Sequence, residues 1–451
     1  MPRFIRGIIF SIFAILFVAS AAALLLFAGG YRYHWEKRTI EKTGQFIIES
    51  KPRAATVRIN GQEYWGVLSR FFKNTPLRTP TSIKYLLSGD YQVEIRKEGY
   101  HPWRQKLSIM PERSTIVNDL VLLKQEDAKK LVPEKSIRDS IFFEDGKSFF
   151  ITNDALMGYD VSSGKREILY QARERILSYK ISPSRKRFLV KTAEMGVVLE
   201  ERSSGIQTFE LTFLTHDVKK SGWTNTNQLI IGDETGIYRV DYAANSTELL
   251  FGPAYTDFLV SDKVYVMTEK GVEKRLIVLE VQQKAINPYD VGALPQESLS
   301  FIDAPESSLA VQNMQGGIYL FDRADLKKGY IAFKEASKLS WDQNDSFIAW
   351  NDFEIWKYDI NKEGLKKELL TRQSEPIRSV SYAKDASFVF FISGKGDVVA
   401  LETRGGRERN RITLEDFSDV QRLVIAPNKK DLYVIGMKNG EEGLYSLSFT
   451  E

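Results

Sequence analysis

FEDGKSFFI (143–151) and SPSRKRFLV (182–190) show the pattern that decides the fold, in which a short polar turn leads directly into an apolar run. The same pattern returns in WTNTNQLII (223–231), DAPESSLAV (303–311), WDQNDSFIA (341–349), YAKDASFVF (382–390) and APNKKDLYV (426–434). Successive copies begin 38 to 44 residues apart, except for one interval of 80 residues that holds a shorter version, FLVSDKVYVM (258–267). Residues 136–451 therefore contain eight repeats of about 40 residues.

Each repeat continues with two further strand-like runs. The third run ends in a polar turn, as in MGYDVSSGKRE (157–167), and a short fourth run follows, as in REILY (166–170). Four strands in about 40 residues, without a helical period, are typical of one blade of a β-propeller. A single blade cannot bury both of its faces, whereas blades stacked in a ring cover one another. We therefore expect an eight-bladed β-propeller at 136–451.

The two ends of the repeat region suggest how the ring closes. The last repeat finishes with GLYSLSF (443–449) and lacks a fourth strand, while KKLVP (129–133) has the fourth-strand pattern without a repeat of its own. We expect residues 125–135 to be a linker that contains a closing strand, Lys129–Val132, paired with the last blade. The alternative is an open linker.

The turns of the repeats also carry a family resemblance. Ser182-Pro183 and Asp145-Gly146-Lys147 resemble parts of the Ser-Pro-Asp-Gly-Lys turn of WD40-like, TolB-type propellers. The repeats are not strict WD40 repeats, because they lack a Gly-His opening and because Trp341-Asp342 lies in a turn. The stretch 160–165 resembles the Asp-x-x-Thr-Gly-Lys turn of quinoprotein-type and outer-membrane-assembly propellers.

Residues 44–124 precede the repeats and form a separate region. Runs such as QFIIES (45–50) and YQVEI (91–95) alternate apolar and polar residues, which predicts strands with one buried face. SKPRAATVRING (50–61), Thr79-Pro80 and LSGDYQVEIRKEGY (87–100) resemble, in this order, a PEGA domain, a small β-sandwich module of surface proteins. The name-giving Pro-Glu-Gly-Ala is replaced here by residues 52–55, PRAA. The resemblance implies a non-enzymatic envelope module without catalytic residues.

The N-terminal region contains an apolar run long enough to cross a membrane. Residues 7–30 carry no charge, and a helix of this length covers about 36 Å, against a hydrocarbon core of about 30 Å. Tyr31, Tyr33 and Trp35 follow it among basic residues, as interface residues do. We expect residues 1–43 to be a transmembrane anchor with a juxtamembrane segment, and the C-terminal domains to be extracytoplasmic. The alternative is a signal peptide cleaved near Ala19-Ser20-Ala21.

Composition excludes several kinds of chemistry. The 451 residues contain no cysteine, which excludes disulfides, Cys-ligated zinc, iron–sulfur clusters and thiol catalysis. His34, His101 and His216 lie too far apart in the sequence to show a metal-ligand spacing. Neither a Walker loop nor a nucleophile elbow is present. We therefore expect no catalytic residues, no metal and no cofactor.

Acidic residues recur in the turns of the repeats, and two interpretations of them are open. In one, they form a ring of ligands for a cation or a sugar. In the other, they close turns through side-chain-to-backbone hydrogen bonds, which explains their regular spacing without a ligand. The residues concerned are Asp145, Asp233, Asp303, Asp342 and Asp385.

Charge and aromatic residues indicate where a partner binds. The net charge is +4 in 1–43, +6 in 44–124 and −6 in 125–451, which favours a chain that stands on an anionic surface and argues against nucleic-acid binding. The segment 62–78 combines aromatic and basic side chains, a candidate site for lipid headgroups or an anionic wall polymer. Alternatively, its aromatic rings fill the core of the module. The candidate binding residues are Trp65, Arg70, Phe71, Phe72 and Lys73.

Together these features predict an all-β protein with one N-terminal transmembrane helix, in which a small β-sandwich is followed by the propeller. We expect a cell-envelope protein that contacts the lipid bilayer through residues 7–30. It would act as a non-enzymatic binding or scaffold platform for a cell-wall polymer or a surface protein. Two alternatives remain: a propeller-type glycan hydrolase or lyase with two carboxylates about 5–10 Å apart, and a scaffold for membrane-protein assembly.

Overall fold

In a computed structural model of the chain, the described residues fall into two compact units. The first comprises Met1–Glu126, Leu401–Ile412 and Ser448–Glu451, and the second comprises Asp127–Ala400 and Thr413–Leu447. The structure describes residues 3–35, 37–65, 76–132, 137–143, 145–161, 163–212, 218–270, 273–281, 289–295, 297–304, 307–326, 329–343, 346–361, 364–394, 396–404 and 409–451.

The first unit begins with an α-helix and continues as short strands. The elements up to residue 126 are α1 (Arg3–Ala28), β1 (Tyr31–His34), β2 (Thr39–Lys42), β3 (Gly44–Lys51), β4 (Thr56–Ile59), β5 (Gln62–Glu63), β6 (Thr81–Leu86), β7 (Gly89–Arg96), β8 (Trp103–Ile109) and β9 (Ser114–Val121). Strands β1 and β2 pair as a hairpin, which the sequence pattern did not predict.

The other strands of the first unit form the predicted β-sandwich. One sheet has the order β6-β3-β9, with β3 and β9 parallel, and the other has the antiparallel order β5-β4-β7-β8. Along β3, Phe46 and Ile48 are fully buried while their neighbours are more exposed, so the alternation in the sequence turns one face inward. These side chains meet Val57 and Ile95 of the opposite sheet in a common core.

The repeats form four-stranded sheets. The first three sheets consist of β11 (Arg138–Phe142), β12 (Lys147–Ile151), β13 (Ala155–Asp160) and β14 (Arg166–Gln171); β15 (Ile176–Ile181), β16 (Arg187–Thr192), β17 (Gly196–Arg202) and β18 (Gly205–Leu211); and β19 (Lys220–Trp223), β20 (Leu229–Gly232), β21 (Ile237–Asp241) and β22 (Ser246–Phe251). The fourth and fifth consist of β23 (Asp257–Val260), β24 (Val264–Lys270), β25 (Glu273–Leu279) and β26 (Tyr289–Ala293); and β27 (Leu299–Ile302), β28 (Ser308–Asn313), β29 (Ile318–Asp322) and β30 (Tyr330–Phe333).

The remaining sheets follow the same plan. The sixth and seventh consist of β31 (Lys338–Gln343), β32 (Ser346–Trp350), β33 (Glu354–Asn361) and β34 (Gly364–Arg372); and β35 (Val380–Ala383), β36 (Phe388–Ile392), β37 (Asp397–Glu402) and β38 (Arg411–Asp416). The last sheet combines β39 (Asp419–Ile425), β40 (Asp431–Lys438) and β41 (Glu441–Ser448) with an earlier strand, β10 (Lys129–Val132). Within the described residues these eight sheets correspond one to one with the eight repeats.

Strand β10 occupies the outer position of the last sheet. It runs antiparallel to β41, with Lys129 opposite Ser446 and Val132 opposite Leu444. Val132 is fully buried. The last sheet is therefore built from segments about 290 residues apart in the sequence.

The sheets of the second unit pack against one another in sequence order and close a ring. First strands of neighbouring sheets lie side by side, as β15 does with β19 and β31 with β35. One buried cluster combines Phe150 and Met157 of the first sheet with Tyr433 and Leu444 of the last. Since each sheet buries its faces against its neighbours, the second unit is a β-propeller.

Candidate functional site

The predicted binding segment is only partly described by the structure. Trp65 is half-buried directly after β5, whereas Arg70, Phe71, Phe72 and Lys73 lie outside the described residues. The chain on both sides is fixed to the sandwich, because the amide of Leu77 donates a 3.0 Å hydrogen bond to the carbonyl of Tyr64. A binding role for these five residues stays a prediction.

Helix α1 presents apolar side chains on all sides. The stretch Arg6–Ala28 has a mean hydropathy of 2.7 and is long enough to cross a membrane. The exposed fraction is 75% for Phe10 and 74% for Leu25. An apolar helix that the rest of its own chain leaves uncovered is the property expected of a membrane anchor or a signal sequence.

The β1–β2 hairpin joins this helix to the sandwich through several contacts. The carbonyl of Gly30, just after the helix, accepts hydrogen bonds from the amide (3.0 Å) and the hydroxyl (2.7 Å) of Thr43. The carboxylate of Glu41 accepts a 2.8 Å hydrogen bond from Ser88 in the β6–β7 turn. This bond, together with hydrogen bonds from Lys37 and Thr39, lowers the pKa of Glu41 to about 2.

Close packing at Gly44 fixes the start of β3, the sandwich strand into which the hairpin leads. A Cβ at Gly44 would lie 2.6 Å from the carbonyl oxygen of Met110 and 2.8 Å from that of Arg113. The amide of Glu112 in the same turn donates a 3.0 Å hydrogen bond to the carbonyl of Thr43. Hairpin and sandwich are therefore connected by backbone contacts and not only by flexible side chains.

Arg32 lies between the last turn of α1 and the sandwich. Its guanidinium carbon is 3.5 Å from the ring centroid of Phe27 and 4.4 Å from that of Tyr85. Its Nη1 donates hydrogen bonds to the carbonyls of Phe27 (3.1 Å) and Tyr31 (2.7 Å). A cation held between two aromatic rings stabilises their arrangement, so Arg32 fixes the direction in which the helix leaves the sandwich.

A buried carboxyl group lies elsewhere in the first unit. Glu402 is 8% exposed, and the indole Nε1 of Trp103 donates a 2.9 Å hydrogen bond to it. Burial raises the pKa of Glu402, although the bond from Trp103 and nearby arginines partly oppose this shift. The guanidinium of Arg404 donates to the carbonyls of Asn118 (3.2 Å) and Asp119 (2.9 Å). These contacts fix Glu402 and Arg404 to the sandwich.

In the second unit, a groove of about 420 Å³ lies between the first and second sheets. Its lining combines apolar side chains with charged ones of both signs. The apolar members are Phe149, Leu169, Phe188 and Ile206, and the charged members are Lys147, Asp160, Lys165, Glu167, Glu201 and Arg202. Such a lining offers a partner apolar contact together with ion pairs.

A carboxylate network stiffens one side of this groove. Glu200, which is 9% exposed, accepts hydrogen bonds from Arg187 Nε (2.9 Å), Arg202 Nη2 (2.6 Å) and the hydroxyl of Tyr242 (3.2 Å). Desolvation opposes ionisation, but the bonds from the two arginines outweigh it and lower the pKa of Glu200. Because Arg202 also lines the groove, Glu200 is a positioning residue for that side chain.

The acidic turn residues do not share one end of the propeller. Asp145 lies between the first and second strands of its sheet, whereas Asp233 lies between the second and third, which is the opposite end. Asp145 accepts a hydrogen bond from the amide of Lys147 (3.1 Å) and pairs with Arg185 (2.8 Å). Asp233 accepts from the amides of Thr235 (2.7 Å) and Gly236 (3.0 Å). These two residues close turns, as the second interpretation predicts.

The other three acidic turn residues give no further support to the interpretation as a ring of ligands. Asp303 is exposed, and Asp385 lies 3.8 Å from the ammonium of Lys429. The side chain of Asp342 lies outside the described residues. Among the residues that the structure describes, no group of three or more His, Cys, Asp or Glu side chains is arranged to hold a metal ion.

One pair of carboxyl groups comes together in the loops of the first two sheets. Desolvation and a hydrogen bond to Glu194 raise the pKa of Glu174. Two carboxylates that lie close together do not both ionise easily, so Glu194 disfavours the charged form of Glu174.

The two histidines that the structure describes lie in different elements of the first unit. His34 is 3.6 Å from Glu41 in the hairpin. His101 is half-buried in the sandwich, and burial lowers its pKa. His216 lies outside the described residues.

Comparison with known proteins identifies the sandwich region. The model of the PEGA domain matches residues 43–124, and no curated protein matches the chain. Similar solved structures include the C-terminal WD40 domain of Sif2, with 13% identity, a TM-score of 0.49 and coverage of 71% of this chain and 98% of that one. The Dos1 propeller is similar at 13% identity and a TM-score of 0.49, with coverage of 72% and 95%. The chain thus joins an apolar N-terminal helix and a region that matches the PEGA domain to a β-propeller.

Proposed function

We propose that this chain is a membrane-anchored cell-envelope protein that serves as a non-enzymatic binding platform for a surface protein or a cell-wall polymer. The observation that carries the proposal is the exposed apolar surface of α1, whose end is fixed to the sandwich through Gly30, Thr43 and Arg32. Because the C-terminal end of the helix belongs to the folded unit, a bilayer that receives α1 holds that unit at its surface, as an anchor does.

The match to the PEGA domain supports an extracytoplasmic location. In this proposal the N-terminal end of α1 faces the cytoplasm and the chain after α1 is exported. The absence of cysteine fits an exported chain that needs no disulfide chemistry.

The groove between the first two sheets is the candidate contact for a partner. Its lining has three basic and three acidic side chains around apolar ones. This mixed charge favours a segment of a surface protein over a uniformly anionic polymer. Functions of propellers reside in such local surfaces and loops, and not in the ring itself.

Location is tested by labelling one introduced cysteine, since the chain has none of its own. Glu98→Cys places a thiol in the exposed β7–β8 turn, at the end of β7 away from the hairpin. A membrane-impermeant maleimide should label this variant in intact cells whose outer layers it can penetrate. Labelling only after the cytoplasmic membrane is opened would contradict the proposal.

Binding is tested by reversing charge in the groove. The double variant Lys147→Glu/Lys165→Glu, at two exposed positions of the lining, should lose the partner that the wild-type chain retains in crosslinking on intact cells, and it should keep the same melting temperature. Lys366→Glu, an exposed substitution on β34, is the matched control and should bind normally. Equal retention by all three chains would exclude the groove as the contact surface.

A further inference from the structure

We infer that the hairpin β1–β2, together with Tyr85 of the sandwich, lies in the headgroup layer of the bilayer and binds the phospholipid surface directly. This inference rests on the proposed membrane anchorage and adds a second lipid contact to it. The surface concerned, which we call the collar, consists of Tyr33, Trp35, Ile40 and Tyr85.

The two faces of the hairpin differ in what they contact. One face carries Arg32 and Glu41, which are opposite each other in the register and contact Tyr85 and Ser88 of the sandwich. The other face carries Tyr33 and Ile40, also a register pair, with exposed fractions of 43% and 57%. Successive residues of a strand point to opposite faces, so the hairpin turns an apolar pair away from the sandwich.

The apolar face extends to the tip of the hairpin. Trp35 has an exposed fraction of 81%, and its ring meets that of Tyr33 edge to face at 4.8 Å. Two adjacent aromatic rings exposed on one short hairpin are unusual for a surface that meets only water. Trp and Tyr are, however, the residues that concentrate where a membrane meets water.

Tyr85 brings the sandwich itself to the same place. Its ring stacks on Phe27 of α1 with a centroid distance of 6.0 Å, and 46% of its surface is exposed. Its backbone has a φ of 65°, a conformation that aromatic residues rarely adopt. A ring that contacts the last turn of a membrane helix lies within a few ångströms of the level where that helix leaves the hydrocarbon core.

Chain continuity and charge decide the occupant. The hairpin begins three residues after the last residue of α1, and its base is fixed to the helix end at Gly30. Residues 31–43 carry four basic and two acidic side chains, which suits an anionic lipid surface. A bilayer that receives α1 is therefore adjacent to the base of the collar.

The depth of each position is measured by quenching in nanodiscs made of brominated phosphatidylglycerol and phosphatidylcholine. The full chain is labelled with a fluorophore at one introduced cysteine: Tyr33→Cys or Tyr85→Cys for the collar, Leu16→Cys for the middle of α1 and Glu98→Cys for the far end of β7. We expect strong quenching at position 16, clear quenching at 33 and 85, and none at 98.

Trp35 provides a measurement that leaves the collar intact. The difference in tryptophan emission between the wild-type chain and Trp35→Phe isolates the signal of Trp35 in the presence of the other tryptophans. That signal should be blue-shifted and quenched by brominated lipid. Because phenylalanine keeps an aromatic ring at the tip, the variant should fold and anchor normally.

The outcomes separate the two proposals. If position 16 is quenched while 33, 35 and 85 behave like 98, α1 is an anchor and the collar inference is wrong. If position 16 is not quenched, the proposed anchorage fails. If the collar positions are shielded from water without quenching by lipid, and spin labels at 33 in two chains are close together, a second copy covers the collar and the inference is overturned.

Discussion

Replacing Gly443 with alanine tests whether strand β10 closes the propeller. Gly443 is buried in β41, and a Cβ at this position would lie 2.5 Å from the carbonyl oxygen of Val132 and 2.8 Å from Cε of Lys130. The carbonyl belongs to the backbone of β10, so no side-chain rotation relieves the contact. We expect Gly443→Ala to push β10 away from β41.

The expected size of the effect follows from two opposing contributions. An extra methyl group in a tightly packed site costs about 1–3 kcal/mol. Alanine also reduces the entropy of the unfolded chain, which stabilises the fold by about 0.4–1 kcal/mol. The net loss is about 1–2 kcal/mol, which for a unit of this size lowers the melting temperature by about 2–4 °C.

Thermal unfolding of the full chain in detergent, followed by intrinsic fluorescence, measures this loss. Gly252→Ala is the matched control, because a Cβ there meets nothing within 4 Å, and it should leave the melting temperature unchanged or slightly raised. Hydrogen exchange should also quicken at the amides of β10 in Gly443→Ala alone. Identical melting and exchange in the two variants would refute a closing role for β10.

Further predictions concern three carboxyl groups. Glu402→Ala should cost about 1–3 kcal/mol because it leaves the indole N–H of Trp103 without its acceptor, whereas Glu402→Gln should not. Folding raises the pKa of Glu402, so the contribution of this group to the free energy of unfolding falls as the pH rises from 4.5 through the folded-state pKa. Denaturant titrations at several pH values should show this fall in the wild type and not in Glu402→Gln. The pH dependence is opposite for Glu41, because its pKa is lowered to about 2. Its contact with Ser88 should be kept above pH 4.5 and lost as the pH falls toward 2. A spin label on the hairpin should report this loss as increased motion. Glu200→Gln should weaken binding in the groove and cost about 1 kcal/mol, because the arginines it holds are partly exposed; unchanged binding would exclude its positioning role.

The repeat architecture could be predicted because each repeat carries its own signal. A polar turn before an apolar run such as 147–151 or 187–192 is a local feature, and eight copies reinforce one another. The acidic turns could not be resolved in the same way. Asp145 and Asp233 look equivalent in the sequence, yet they lie at opposite ends of their sheets, because the sequence pattern does not show which pair of strands a turn connects.

The sequence indicated Tyr33 and Trp35 as interface residues, but it did not predict the hairpin that carries them or the part played by Ile40 and Tyr85. Tyr31–His34 and Thr39–Lys42 are four-residue strands, too short for alternation to stand out beside a 24-residue apolar run. The contact of Tyr85 with Phe27 depends on tertiary packing, which no local pattern encodes. Leu401–Ile412 belongs to the same compact unit as the sandwich. This grouping likewise depends on contacts between residues far apart in the sequence.

The composition of the last sheet has a consequence for how the chain folds. During synthesis β10 emerges long before its partner β41, and at about 5–20 residues per second the interval is on the order of 15–60 s. Throughout that time β10 has no partner strand, and the face of the first sheet that will meet Tyr433 and Leu444 is uncovered. Uncovered strands and apolar surfaces favour aggregation, so we expect the nascent chain to be prone to aggregation until β39–β41 are made. Premature termination anywhere before residue 441 should therefore yield an aggregating product and not a smaller, stable propeller.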